Sequence, residues 1–555
     1  MNTTPTPSFD VTTAAPPGRR TVLDTAHVGD IHGALGTLRQ HGTRPGSRRA
    51  RMLALLAIMG PGLIVMVGDN DAGGVATYAQ AGQNYKLTLL WTLLLLIPVL
   101  IVNQEMVVRL GAVTGVGHAR LIIERFGKFW GAFSVGDLFL LNFLTIVTEF
   151  IGVSLALGYF GVSRYLAVPV AAVVLIAMTV TGSFRRWERF MFLFVVTNFL
   201  AIPLALSTHP HVGPILSGTS SPGVQGGFGS TSILLIVAIV GTTVAPWQLF
   251  FQQSNVIDKR ITPRWINYER ADTVIGSIIV ILGAAAIMIA VSAGLGTSPL
   301  HGRFTDAGAV AHGLADTVSP VAGDLFAIVL LNASIIGAAA VTLASSYAFA
   351  DVFRRPHSLH HGVGQAKLFH GSYTAMVALA AGIVLIPGAP LGTITTAVQA
   401  LAGVLLPSAT VFLLLLCNDK AVLGPWTNPG WLNAIASVIV GVLVVLSGIL
   451  TVTTLFPHVD VRLTTEILFG ALTGSLAAAA LYIARERRAV LLDLPAGVRH
   501  REWATRLSWT MPPLELLDRP TWSRARTVGM LALRGYLVVA VLMLVVKAIE
   551  VGIGH

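Results

Sequence analysis

The chain has 555 residues, 54% of them hydrophobic and only 11% charged, with a mean hydropathy of +0.74. A soluble domain carries about 25% charged residues, so composition excludes a soluble enzyme and points to a polytopic α-helical membrane protein. The formal charge of +11 comes from Lys and Arg lying between hydrophobic spans, which is a mark of membrane orientation and not of a nucleic-acid partner. The single cysteine, Cys417, excludes an intrachain disulfide framework or a cysteine metal cluster.

Residues 1–50 are rich in Pro, Thr, Gly and Arg without apolar periodicity. They are expected to form a disordered cytoplasmic N-terminus, with no signal-peptide core. Twelve apolar stretches of membrane-crossing length follow, near 53–79, 88–108, 131–158, 165–182, 190–207, 231–256, 271–294, 322–350, 371–388, 392–416, 431–453 and 464–484. With the N-terminus inside, the inner connections hold Arg109, Arg120, Arg125, Lys128, Arg185, Arg186, Arg189, Lys259, Arg260, Arg264, Arg270, Arg354, Arg355, Lys367 and Lys420. The outer ones hold only Lys86, Arg164, Arg303 and Arg462. That asymmetry satisfies the positive-inside rule.

After the twelfth span, residues 485–527 read as a basic cytoplasmic segment. A short apolar run within 528–555, flanked by Arg534 and Lys547, suits either a thirteenth span with snorkelling ends or an interfacial helix. His357, His360, His361 and His370 cluster in a cytoplasmic connection. A solvated loop is expected there over a metal sensor, because the spacing lacks a ligand frame.

Two of the spans are interrupted. The first carries Gly68, Asp69, Asn70, Asp71, Gly73 and Gly74 in mid-span. A carboxylate at membrane depth costs roughly 2.5–3.5 kcal/mol on insertion scales, which makes it a functional-site candidate by default. Glycines there let the helix unwind, and unwound backbone at that depth persists only where it is buried or lines a cavity. The second interruption falls at Gly241, Thr242 and the pair Ala245–Pro246. Paired broken helices in two halves of a chain are the best sequence pointer to a transporter's binding site.

These segments resemble the Nramp family of divalent metal transporters. The family's Asp-Pro-Gly-Asn stands here as Asp71, Ala72, Gly73 and Gly74, after Gly60, Pro61 and Gly62. Gln104 through Gly115 is similar to the family's second-span motif, and Glu149-Phe-Ile-Gly152 to its Glu-Val-Ile-Gly. Ala245-Pro-Trp-Gln-Leu249 stands for Met-Pro-His-Asn-Leu, and Gln399 precedes Pro407 by the family's spacing. The resemblance covers about 55–425. It implies a LeuT-like core of two inverted five-helix repeats over 51–425, two extra spans over 426–484, and an ion held between unwound spans one and six. It also implies a multi-pass protein of the bacterial inner membrane with a divalent cation as cargo and no cofactor. A monomer is the working expectation.

The departures shape the expected chemistry. Gly74 replaces the motif's Asn and Ala245 replaces the Met, whose thioether favours transition metals. The expected donors are then oxygens: Asp71, Asp69, the amides Gln248 and Gln399, and backbone freed near Gly68 and Thr242. Such a set suits Mg²⁺, which keeps several waters and contacts one or two carboxylates. Ile146, Trp247 and Gln252 stand where proton-coupled members carry an Asp and two His, which leaves Glu149 without a relay. Uncoupled Mg²⁺ uptake, with Mn²⁺ as a further substrate, is therefore expected. A proton-coupled Mn²⁺/Fe²⁺ carrier is the first alternative. A sodium-coupled organic-solute carrier is the second, disfavoured because Asp69 and Asp71 would repel a substrate carboxylate.

Overall fold

The computed structural model describes residues 24–42, 45–388, 390–456, 459–490, 506–507 and 509–517, and isolated positions beyond. The chain is helical almost throughout. In order, the helices are α1 (Arg48–Ile58), α2 (Pro61–Gly68), α3 (Ala72–Tyr85), α4 (Leu90–Thr114), α5 (His118–Phe126), α6 (Lys128–Tyr159), α7 (Arg164–Thr179), α8 (Phe184–Asn198), α9 (Ala201–Ser207) and α10 (Val212–Ser220). There follow α11 (Ser230–Thr243), α12 (Pro246–Asp258), α13 (Ile266–Leu295), α14 (Ala307–Thr317), α15 (Pro320–Val352), α16 (Lys367–Val384), α17 (Leu391–Cys417), α18 (Lys420–Leu423), α19 (Gly430–Leu455) and α20 (Val461–Val490). Among the described residues, ten helices are long and apolar enough to cross a membrane, counting α8–α9 and α11–α12 as one each. The 16 residues of α7 are apolar but shorter.

The expected first span, 53–79, is divided. The chain turns 51° between α1 and α2. Gly60 makes the turn at φ +154°, a region that favours glycine. Pro61 occupies the first position of α2, where its missing N–H costs nothing. The orphan donors of that helix start are met from α13, where Asp272 Oδ2 accepts from Gly60 N at 2.9 Å and Gly62 N at 2.8 Å.

Helices α6 and α15 pack along one another, as do α13 with α2 and α3, and α11 with α17. Small residues allow the closest approaches: a Cβ on Gly241 of α11 would strike the backbone of Gly403 in α17. With α2/α3 and α11/α12 as broken spans one and six, the arrangement is a LeuT-like all-α membrane fold, to which α19 and α20 are added.

Two expectations need correction. Residues 24–42 are folded, although their composition suggests disorder. Ile31–Gly33 and Gly36–Leu38 form an antiparallel hairpin, β1 and β2. It docks because later elements satisfy its backbone: Glu188 Oε2 accepts from Ala34 N at 2.5 Å, and Arg260 donates to the carbonyls of Ala26 and Asp30 at 2.8 and 3.2 Å. Glycines at 33 and 36 let it lie directly on Ala57. Residues 1–23 lie outside the described residues.

The histidine loop is not solvated either. His357 and His370 are buried, and His27 Nε2 lies 3.2 Å from the His357 carbonyl while His361 Nε2 lies 3.0 Å from Asp24 Oδ1. Within 485–527, the Arg506 carbonyl accepts from Trp426 Nε1 at 2.8 Å, and Trp509 packs on Gly424. The choice between a thirteenth span and an interfacial helix over 528–555 falls on residues that, but for isolated positions, lie outside the described ones.

Candidate cation site

The first break is three residues long. Helix α2 ends at Gly68, the N–H groups of Asp69 and Asn70 fold back to the carbonyls of Met66 and Val67, and Asp71 is extended at ψ 179°. Asp71 then caps α3, its Oδ1 accepting from Gly74 N at 2.7 Å. Glu149 of α6 reaches the same helix end, where its Oε2 accepts from Ala72 N at 3.1 Å and its carboxyl lies against that of Asp71. Gly337 of α15 makes this possible, because a Cβ there would crowd both carboxyl side chains.

The second break leaves Val244 and Ala245 outside the helix, with Pro246 opening α12. It sets Thr242 opposite the first break. A point one Cβ bond out from Gly74 lies 3.0 Å from the Asp69 carbonyl oxygen, 3.2 Å from Thr242 Oγ1 and 3.4 Å from Asp71 Oδ1. Three oxygens thus converge on the space that an asparagine at 74 would fill. Asp69 is 0% exposed, yet neither of its carboxylate oxygens has a hydrogen-bond partner, and neither does Thr242 Oγ1. Buried polar groups are almost always satisfied, so these unpartnered oxygens make the break the candidate site.

The remaining sequence candidates divide. Gln399 Nε2 is buried and unpartnered, and it fills the space where Gly73 lacks a side chain. Gln248 is engaged within the bundle: it accepts from Gln104 Nε2 at 3.0 Å and donates to the Thr243 carbonyl at 3.3 Å, while its amide also lies beside Asp69. Ala245 is buried at the start of α12 and contributes no donor side chain. Trp247 and Ala340 cover the Gly68 side of the break. Ile146 is a buried apolar residue of α6, and Gln252 sits one turn past Gln248, donating to Thr273 Oγ1 at 2.8 Å. Asn70 turns away to the Val280 carbonyl, 3.0 Å off.

Sequence reasoning missed three supports. Tyr78 OH lies 2.8 Å from Thr243 Oγ1 and ties α3 to α11 across the breaks. Asp272, an acid inside an apolar span, offered a signal that was open to use; Gly337 offered none.

Residues 62–453 match the family described as Nramp, natural resistance-associated macrophage protein-like. A "Divalent metal cation transporter MntH" of Levilactobacillus brevis is 28% identical over 431 residues, covering 72% of this chain and 90% of that protein. Its namesake from Ralstonia nicotianae is 29% identical over 400 residues, covering 69% and 87%. Among solved structures, a manganese transporter of Eremococcus coleocola superposes with a TM-score of 0.60 at 21% identity, covering 80% of this chain and 98% of that one. The match spans most of the chain and includes both broken helices, and the chain therefore belongs to the Nramp family.

Proposed function

We propose that this protein carries divalent metal cations across the membrane by alternating access, that Mg²⁺ is its preferred cargo with Mn²⁺ also accepted, and that no proton is coupled. The observation that carries the reading is the set of oxygens at the breaks, the unpartnered Asp69 carboxylate and Thr242 hydroxyl with the Asp69 carbonyl and Asp71 Oδ1 beside the unfilled position at Gly74, and no sulfur at Ala245. Hard oxygen donors and room for retained waters suit Mg²⁺. The names of the relatives favour divalent transport in general and make proton-coupled Mn²⁺ uptake the main competitor. Glu149 beside Asp71 is that reading's one support from geometry. Against it, Ile146, Trp247 and Gln252 offer no titrating relay.

The test is a panel of divalent ions in proteoliposomes, with a pH-sensitive dye inside. Mg²⁺ entry that Asp71→Ala abolishes, without a change in internal pH, is the expected result. Absent Mg²⁺ flux together with Mn²⁺-driven acidification would replace this reading with the second.

A further inference from the structure

We propose a second cation station on the cytoplasmic side of the central site, built by Glu269 and Asp272 of α13 and Gln252 of α12, through which the transported ion passes on its way out. The proposal rests on the transport reading above and extends its path by one step.

Helix α12 carries the link. Gln248 lies beside Asp69, and Gln252 is four residues further on, one helical turn toward the cytoplasm on the same face. Gln252 lies next to Glu269. Gln252, Glu269 and Asp272 are all 0% exposed. Glu269 and Asp272 are three apart and share a face of α13.

Their satisfied and unsatisfied atoms define the site. Asp272 commits Oδ2 to the N–H groups that start α2, while its Oδ1 has no partner. Glu269 has no partner at either oxygen, and the carbonyl oxygen of the Gln252 amide has none. Four buried acceptors on three side chains therefore lack donors. The charge balance agrees. Three fully buried acids, Glu188, Glu269 and Asp272, surround one buried cation, Lys259. Lys259 is spent on Glu188 at 2.5 Å and on the carbonyls of Ile58 and Met59 at 2.6 and 2.8 Å. The amides at the start of α2 compensate Asp272, whereas Glu269 has only the neighbouring Gln252 amide and a Lys259 already paired with Glu188. A buried charge persists only when paired or coordinated.

Protonation would cancel the charge but supply only one donor. A hydrated divalent ion answers both deficits, since such ions commonly bind through one or two carboxylates and several waters. Among the described residues, no three His, Cys, Asp or Glu side chains gather as a resident metal centre would require. Two carboxylates and an amide suit an ion that passes through. The N-terminal hairpin and the Lys259–Glu188 pair close this end of the path, because Ala34 N–H docks on Glu188.

Mn²⁺ binding to the full chain in lipid nanodiscs, followed by electron paramagnetic resonance, tests the station. The wild type should bind two ions. Asp69→Asn with Asp71→Asn should leave one, and adding Glu269→Gln should weaken that remaining site at least tenfold, while Glu269→Asp in the same background keeps it. In uptake assays, Glu269→Gln alone should lower the maximal rate severalfold with little change in KM, as expected of a step after capture. Identical Mn²⁺ binding with and without Glu269→Gln in the silenced background would overturn the station. Full binding after silencing Asp69 and Asp71 would count against the central site instead, whereas loss of an ion on Glu269→Gln would still support this one.

Discussion

Asp69 and Asp71 stand two residues apart and do different work. Asp71 holds the first turn of α3 with one oxygen and sets its carboxyl against Glu149; Asp69 has both oxygens unpartnered. The break itself was legible in the sequence, because acids and glycines together inside an apolar run point to little besides an opened helix. The division of labour was not, since it depends on Glu149 arriving from α6 and on Gly337 leaving room. Two expectations belong at this scale. Ala245→Met restores a soft donor and should shift the Mn²⁺-to-Mg²⁺ uptake ratio toward Mn²⁺ by roughly tenfold, about 1.4 kcal/mol of selectivity. Unchanged competition between the two ions would show that position 245 does not face the cargo. Gly73→Ala displaces the Gln399 amide and should slow uptake. Gln399→Ala added to it should cost nothing further, because the two changes remove one interaction.

Among the elements, the hairpin was the least legible. Its residues carry no apolar periodicity, and its order comes from Glu188, Arg260 and the 355–361 loop, all remote in sequence. Its anchoring imposes a pH dependence. Burial holds the His27 imidazole down at about 4, against the pull of Asp258 and Asp24 and with the help of His357. Asp24 is held at about 2: burial would raise it, but hydrogen bonds from the Ala26 amide, His361 and the His357 amide outweigh that. An undocked imidazole titrates near 6.5, so docking expels its proton. The contribution of His27 is complete above that value and is lost as pH falls from 6.5 toward 4; that of Asp24 is lost only between 3.8 and 2. Between pH 6.5 and 5.5 the undocked population should rise about fivefold. Hydrogen exchange over 24–42 reads this directly, and His27→Gln should flatten it; equal protection at both values in the wild type would refute the anchor.

For the whole molecule, the order of spans and the two breaks followed from hydropathy, because a bilayer permits so few backbone arrangements. What escaped was closure: a linear pattern does not say that the site is shut from both sides, with Asp69 at 0% and Asp71 at 2% exposure. If no proton is coupled, the membrane potential alone supplies the drive. A divalent ion moving inward through 100 mV gains about 4.6 kcal/mol, on the order of a thousandfold concentration. Mg²⁺ accumulation in vesicles should therefore track an imposed potassium diffusion potential and ignore an imposed pH step. Accumulation that followed the pH step would reinstate coupling.

The docked hairpin also bears on how the chain is made. Its backbone leaves the ribosome ahead of the elements that hold it, and the His27–His357 contact waits for a partner 330 residues later. At about 5–20 residues per second that is roughly 15 to 65 seconds of translation. Throughout that interval the hairpin lacks this anchor, which reaches it only once the loop after α15 has emerged.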